Sequence, residues 1–387
     1  MKVTQVAELL TTITAEVLGE SVTVAEDLSN VVEVGVAFAN FNNGYDNFVN
    51  SLVDHIGRVV FVDRLYSGRV PSVLRDGWEY GAVLEKISMK LPDAEENESW
   101  ELTDGASYDP NVFHKPVISA KFYNKRVTFE VPMSITEMQV KSAFSDATQL
   151  NAFMSMIQTA IANAMTVKID ALIMRAITGM IADTFYDEFP SGTYNGTSSV
   201  KAVNLLYLYN QASGASPALT ADKALTTPEF IRFASMVMAN YIDRLSVLST
   251  VFNMEGAERF TPKDRLHVVM LADFKNAAGA YLQSDTFHNE YTALPEAETV
   301  PFWQGSGTDY TLTYTANINC TSPQGHSVNA SGVLACMFDR DALGVSNLSR
   351  RVTSNYNAKA EFWNEFHKAD FGLWNDPAEN MVVFYIA

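Results

Sequence analysis

Residues 146–184 read DATQLNAFMSMIQTAIANAMTVKIDALIMRAITGMIADT, thirty-nine positions without a proline. Leu150, Phe153, Met154, Ile157, Ile161, Met165, Ile169, Leu172, Ile173, Ala176, Ile177 and Met180 recur at i, i+3 and i+4 spacing, the period of one helix face. Asp146 after Ser145 is placed to cap the first turn. At 1.5 Å per residue such a helix spans on the order of 55 Å, against a mean globular helix of roughly 11–12 residues. The apolar stripe is wide, rich in methionine and without alternating flanking charges, which fits a coiled-coil seam poorly. Phe189-Pro190 and the polar run SGTYNGTSS close it. The expectation is a single spine around which the rest of the chain is arranged.

Upstream, Val6, Leu9, Leu10, Ile13 and Val17 lie on one stripe of an amphipathic N-terminal helix. Gln5 and Glu8 interrupt the apolar run that a signal peptide needs, so the chain is expected to stay in the cytoplasm. Residues 19–44 show no sustained helical period and read as an extended arm. Asp46–Ile56 places Phe48, Leu52, Val53 and Ile56 at helical spacing, and Gly57 stops it. Residues 58–92 read as a two-stranded excursion, RVVFVDRL and WEYGAVLEKISMKL around an irregular tip at 66–77 broken by Gly68, Pro71 and Gly77. Between Arg58 and Arg75 stand four arginines and one acid, Asp63. Asp93, Glu95, Glu96, Glu98, Glu101 and Asp104 follow with no basic residue among them. That run is either a solvated loop or a partner for the basic excursion of a neighbouring copy.

Downstream of 115, residues 116–131 alternate as a half-buried strand. Thr227-Pro228-Glu229 opens a helix to about Val247, with proline where its missing N–H costs nothing. LHVVML (266–271) is a buried strand, a helix follows from Asp273 to Gln283, and SGVLACMF (331–338) is another strand. The terminal MVVFYI (381–386) must pair within a sheet, with 116–131 as the expected partner.

At 387 residues the chain exceeds the roughly 250–300 at which one core stops growing, so two connected domains are expected. Its 47% hydrophobic and 19% charged residues exclude wholesale disorder. No apolar run is long enough to span a membrane. The formal charge of −18, from 27 basic and 45 acidic residues, argues against a dedicated nucleic-acid binder, which needs a basic face. It suits a container whose wall does not trap the polymer, and equally suits plain solubility. Cys320 and Cys336 lack metal-ligand spacing, and a reducing compartment keeps both as thiols. The six histidines form no paired metal motif, and neither a phosphate-binding loop nor a nucleophile elbow occurs. No catalytic, metal or cofactor site is expected. Phe362, Trp363, Phe366, Phe371 and Trp374 read as packing residues, since few basic residues interleave with them.

The series of arm, excursion, spine, mixed unit and returning strand resembles the major capsid protein fold of tailed bacteriophages, shared with encapsulins and the floor of herpesvirus shells. NFVNSLVDHIGRVVF, KFYNKRVTFEVPMSITEMQVKSAFSD, GVLACMFDRDALGV and AEFWNEFHKADFGLWNDPAENMVVFYIA are similar to coat proteins of small short-tailed phages. The resemblance implies an α+β fold: an N-terminal arm and helix (1–57), an extended loop (58–92), a peripheral domain (93–199 and 346–387) holding the spine at 146–184, and an axial domain (200–345). It implies a shell of pentamers and hexamers enclosing double-stranded DNA, assembled in the host bacterial cytoplasm with a scaffolding protein and a portal protein, without membrane. Arg69 and Arg75 would make intersubunit ion pairs, with Asp93, Glu95, Glu96 and Glu98 as acidic partners. The tip at 66–77 holds no lysine, which argues against the lysine–asparagine cross-link of some members. An encapsulin compartment is the alternative within the fold, and a hydrolase of scattered carboxylates the alternative outside it.

Overall fold

The computed structural model describes residues 3–19, 24–41, 47–48, 51, 69–76, 84–92, 94, 96, 100–109, 111–144, 147–214, 216–283, 295–304, 311–322 and 325–387. The chain divides into two compact units, Met1–Glu79 with Arg126–Arg175 and Val345–Gly372, and Tyr80–Lys125 with Ala176–Gly344 and Leu373–Ala387. This division differs from the expected domain borders: 176–199 and 373–387 belong with the segment expected to be axial. Residues 58–79 and 80–92 fall in different units.

The spine is one helix, Ala147–Glu188, roughly 60 Å at 1.5 Å per residue. The unit boundary falls within it at Arg175. Its first part is amphipathic, with Leu150, Ile157, Ile161, Met165 and Ile169 buried and Met156 and Val167 exposed. Beyond Arg175 it is buried from Ala176 to Phe185, mostly apolar as a helix enclosed in a core must be, with Thr178, Asp183 and Thr184 as its buried polar residues. The expected cap, Asp146, lies outside the described residues.

In the first unit the helix Val3–Leu18 buries Val6, Leu9, Leu10 and Ile13, as its stripe predicts. The extended arm expected over 19–44 is instead interrupted by a helix, Val31–Asn40, with Val31, Val34, Gly35 and Phe38 on its buried face. Phe38 and Phe144 each pack edge to face on Phe48 with centroids 5.0 Å apart and lie tilted to one another at 5.7 Å. Gly35 is required there, because a Cβ at that position would sit 2.7 Å from the Cβ of Phe144. Most of the helix expected at 46–56, and the strand RVVFVDRL expected after it, lie outside the described residues.

Strands are numbered β1 (Leu74–Asp76), β2 (Leu84–Met89), β3 (Ile118–Tyr123), β4 (Arg126–Thr136), β5 (Ala202–Asn204), β6 (Leu266–Leu271) and β7 (Glu298–Val300). They continue with β8 (Ile318–Thr321), β9 (Ser327–Ala330), β10 (Val333–Asp339), β11 (Leu343–Asn357), β12 (Phe362–Asn375) and β13 (Met381–Tyr385). The first unit carries the sheet β1-β11-β12-β4. Its long pair β12–β4 is antiparallel from Phe362↔Thr136 to Gly372↔Arg126. Trp363, Glu365, His367, Ala369 and Phe371 face inward at period two and are buried, while Asn364, Lys368 and Asp370 meet Ser134, Glu130 and Thr128 on the outer face. Thr136 then caps the helix Glu137–Ala143 in a reciprocal box with Gln139.

The second unit is built on a five-stranded sheet of order β5-β13-β10-β6-β7. The terminal strand therefore pairs with β10 and β5, and the expected pairing with 116–131 is corrected. A run apolar at every position is buried on both faces and belongs at a sheet's centre; the alternating β4 needed an alternating partner and finds it in β12. β10 is buried along its whole length. Gly332, just before it, has φ +72° and lies against the Ile386 carbonyl, where a Cβ would approach to 1.9 Å. Helices Pro228–Leu245 and Ala272–Gln283 and strand β6 fall where the sequence places them. Among the described residues no helix is long and apolar enough to cross a membrane.

Candidate assembly interface

Of the excursion expected over 58–92, RVVFVDRL and residues 66–68 and 77–83 lie outside the described residues, and the described part of its second strand is β2. β2 pairs antiparallel with β3, from Leu84↔Tyr123 to Met89↔Ile118, and the Lys90 amide extends the ladder to the Val117 carbonyl at 2.9 Å. Leu74–Asp76, expected near the excursion's tip, instead run parallel to Val345–Asn347 at the edge of the first unit's sheet.

The ribbon's two faces differ. Leu84, Lys86, Ser88, Lys121 and Tyr123 are half-buried on or near one face. On the other stand Ile87 (65% exposed), Met89 (53%), Ile118 (61%) and Phe122 (65%). Between the strands, every described residue from 90 to 117 is exposed, among them Trp100 (96%), Leu102 and Phe113 (81%). A two-stranded ribbon alone is marginal in water, and monomers rarely show contiguous apolar surface of this kind.

What holds the ribbon's inner face is a cluster of charges at the C-terminal turn. Lys86 Nζ donates to Asp376 at 2.5 Å and to Glu379 at 2.7 Å. Lys121 Nζ donates to Asp376 at 2.8 Å and to Glu255 at 2.7 Å. Arg259 Nε reaches Glu379 at 3.1 Å. Burial alone would raise the Asp376 carboxyl, but the two ammonium groups outweigh it and hold it below its ordinary range. In the first unit, burial acts upward on Asp370 as well, yet Arg351, Thr128 and Ser349 bring that carboxyl down to about 2. A depressed carboxylate contributes stability that is complete above its unfolded value, about 4, and is lost as pH falls through the folded one. Denaturant unfolding is therefore expected to show stability falling from pH 4 toward pH 2, and Asp370→Asn should flatten that slope. An unchanged slope would remove Asp370 from the account.

Arg69 has a partner in its own unit. Its Nε donates to Asp170 Oδ2 at 2.6 Å and its amide to Oδ1 at 3.1 Å, which fastens the segment to the spine. Arg75 lies in β1, opposite Ser346. Of the acids expected to meet them, Glu96 is exposed; Asp93, Glu95 and Glu98 lie outside the described residues. The ammonium–carboxylate cluster is not legible in the sequence because each of its ion pairs joins residues more than a hundred positions apart, and a lone lysine in a strand carries no signal.

No reaction is suggested by the thiols. Neither cysteine forms a disulfide, and burial pushes both up, Cys336 the more strongly. His267 stacks on Phe338 at 5.7 Å as a packing residue, and Trp363, Phe371 and Trp374 are buried. Among the described residues no group of three His, Cys, Asp or Glu could hold a metal ion.

Comparison with known proteins agrees with this picture. The sequence model of a family described as Phi29-like phage major capsid protein matches residues 10–385. The major capsid protein of Bacillus phage GA-1 is 26% identical over 147 residues, which is 36% of this chain and 28% of that protein. The match thus spans little more than a quarter of that relative. A chain in the capsid structure of Staphylococcus phage Andhra aligns over 84% of this chain and 86% of its own, with a TM-score of 0.51 at 9% identity. That likeness is one of fold.

Proposed function

Because the chain belongs to the Phi29-like phage major capsid protein family, we propose that it assembles with copies of itself into the pentamers and hexamers of an icosahedral shell around double-stranded DNA. The observation that carries this is the β2–β3 ribbon, tied down on one face and apolar and exposed on the other. Such a surface is stable in water only when covered, and a shell subunit finds its cover on the next copy. The proposed mechanism is geometric: many modest contacts sum to a stable container, with no reaction and no cofactor. The net charge of −18 is consistent with enclosing DNA without binding it tightly.

On this reading the ribbon takes the role of the extended loop over a neighbouring subunit, and residues 69–76 are a separate segment fastened to the spine through Arg69. Arg75 and the acids Asp93, Glu95, Glu96 and Glu98 are intersubunit contacts. Arg69 contributes by setting that segment against Asp170. A scaffolding protein and a portal protein complete the assembly in the host bacterial cytoplasm, and the product resides in the virion. Electron microscopy of the chain expressed with its phage's assembly proteins tests the proposal. Closed icosahedral particles are expected, holding DNA after packaging; a soluble monomer under every such condition, or particles filled with a protein cargo, would overturn it.

A further inference from the structure

Where the ribbon opens toward its outer loop, Met89, Leu91, Pro116 and Val117 line a groove of about 600 Å³, with Lys90 and Lys115 at its walls. Both lysines are exposed, and neither has a carboxylate partner among the described residues. The loop beyond carries the opposite set. Glu96, Glu101 and Asp104 are exposed and likewise without a cationic partner among the described residues, and they flank Trp100 (96% exposed) and Leu102 (65%). Groove and loop are thus complementary twice over, apolar to apolar and basic to acidic. Yet among the described residues of one subunit no ion pair joins the two, although only a few residues separate Lys90 from Glu96.

We propose that the acidic loop around Trp100 of one copy docks into the lysine-walled groove of a second copy. This rests on the shell reading above and names a partner for its ribbon. One element bearing both halves of a contact can pair reciprocally across a two-fold axis or head to tail, and the head-to-tail form is the kind that closes into rings when the rotation between copies allows. Exposed pairs of this sort steer encounter and exclude wrong registers more than they add affinity, while the indole and leucine supply the buried apolar area.

The test is a charge exchange under the conditions in which the unmodified chain forms shells. Lys90→Glu with Lys115→Glu, and separately Glu96→Lys, Glu101→Lys with Asp104→Lys, should each lower shell yield at least tenfold while leaving the subunit's thermal unfolding unchanged, since every position is exposed. The chain carrying all five substitutions restores the pairing with signs reversed and should recover shells. If either partial variant assembles normally, or if the combined chain does not recover, the docking is wrong while the shell reading stands. If the unmodified chain forms no shells, both fall.

Discussion

Ile161→Asp is expected to destabilise the subunit by about 4 kcal/mol or more, enough to abolish cooperative folding of the first unit. Ile161 is wholly buried on the inward stripe of the spine. Losing the burial of an isoleucine side chain costs about 1.5–3 kcal/mol. The carboxylate must then be desolvated without a partner or take up a proton, at a further cost of several kcal/mol. Val167 on the same helix is 65% exposed, so Val167→Asp should change stability by no more than about 0.5 kcal/mol. Urea unfolding of both variants checks the pair. Equal effects would mean that the inner and outer faces of the spine are wrongly assigned.

The spine was legible because a long helix writes its period into the sequence with no help from distant residues. Expected at 146–184, it runs from Ala147 to Glu188. Elements whose identity depends on remote partners were less legible. Val31, Val32 and Val34 suggest extended chain by β-branching, and Gly35 weakens a helical reading further. The helix forms because Phe38 and the close approach of Phe144 reward it, which is tertiary packing overriding propensity. The strand beside β2 was hard to read for a similar reason. RVVFVDRL, outside the described residues, is near in sequence to LEKISM, whereas ISAKFY, which pairs with LEKISM, lies some thirty residues on. With one face apolar and exposed, alternation along these strands does not say which side is the core.

Pairing of the C-terminal strands could have been read more closely. β4 and β12 both alternate at period two over eleven paired positions, whereas MVVFYI does not alternate at all. Matching like with like assigns β12 to β4 and sends the terminal strand to the centre of the other sheet. The candidate interface was the least accessible part. The acidic run was visible, but its exposure with Trp100, and the lysines of the groove, emerge only once β2 and β3 are paired. Arg69 shows the converse: a basic residue on a loop suggests an external partner until the spine supplies Asp170.

Asp376→Asn is expected to cost about 2–3 kcal/mol and to loosen the ribbon selectively. The carboxylate is 1% exposed and accepts from two ammonium groups and from the Ala378 amide. Removing one member of a buried ion pair typically costs 3–5 kcal/mol, because the charge left behind is uncompensated. Here Lys86 and Lys121 are 23% and 31% exposed and keep Glu379 and Glu255, so water and the remaining acids recover part of the loss. Glu255 is 44% exposed, and Glu255→Gln should cost under about 1 kcal/mol, as exposed pairs do. Hydrogen exchange separates the local from the global effect. In Asp376→Asn the amides of Leu84–Met89 should lose protection while those of β10, buried throughout, keep theirs. Uniform loss over both strands would make Asp376 a core residue of the second unit and not the anchor of its ribbon. With the anchor gone and the fold intact, a subunit that still assembles would show that the neighbouring copy positions the ribbon by itself. A folded subunit that no longer assembles would show that the arm must be aimed before it is covered.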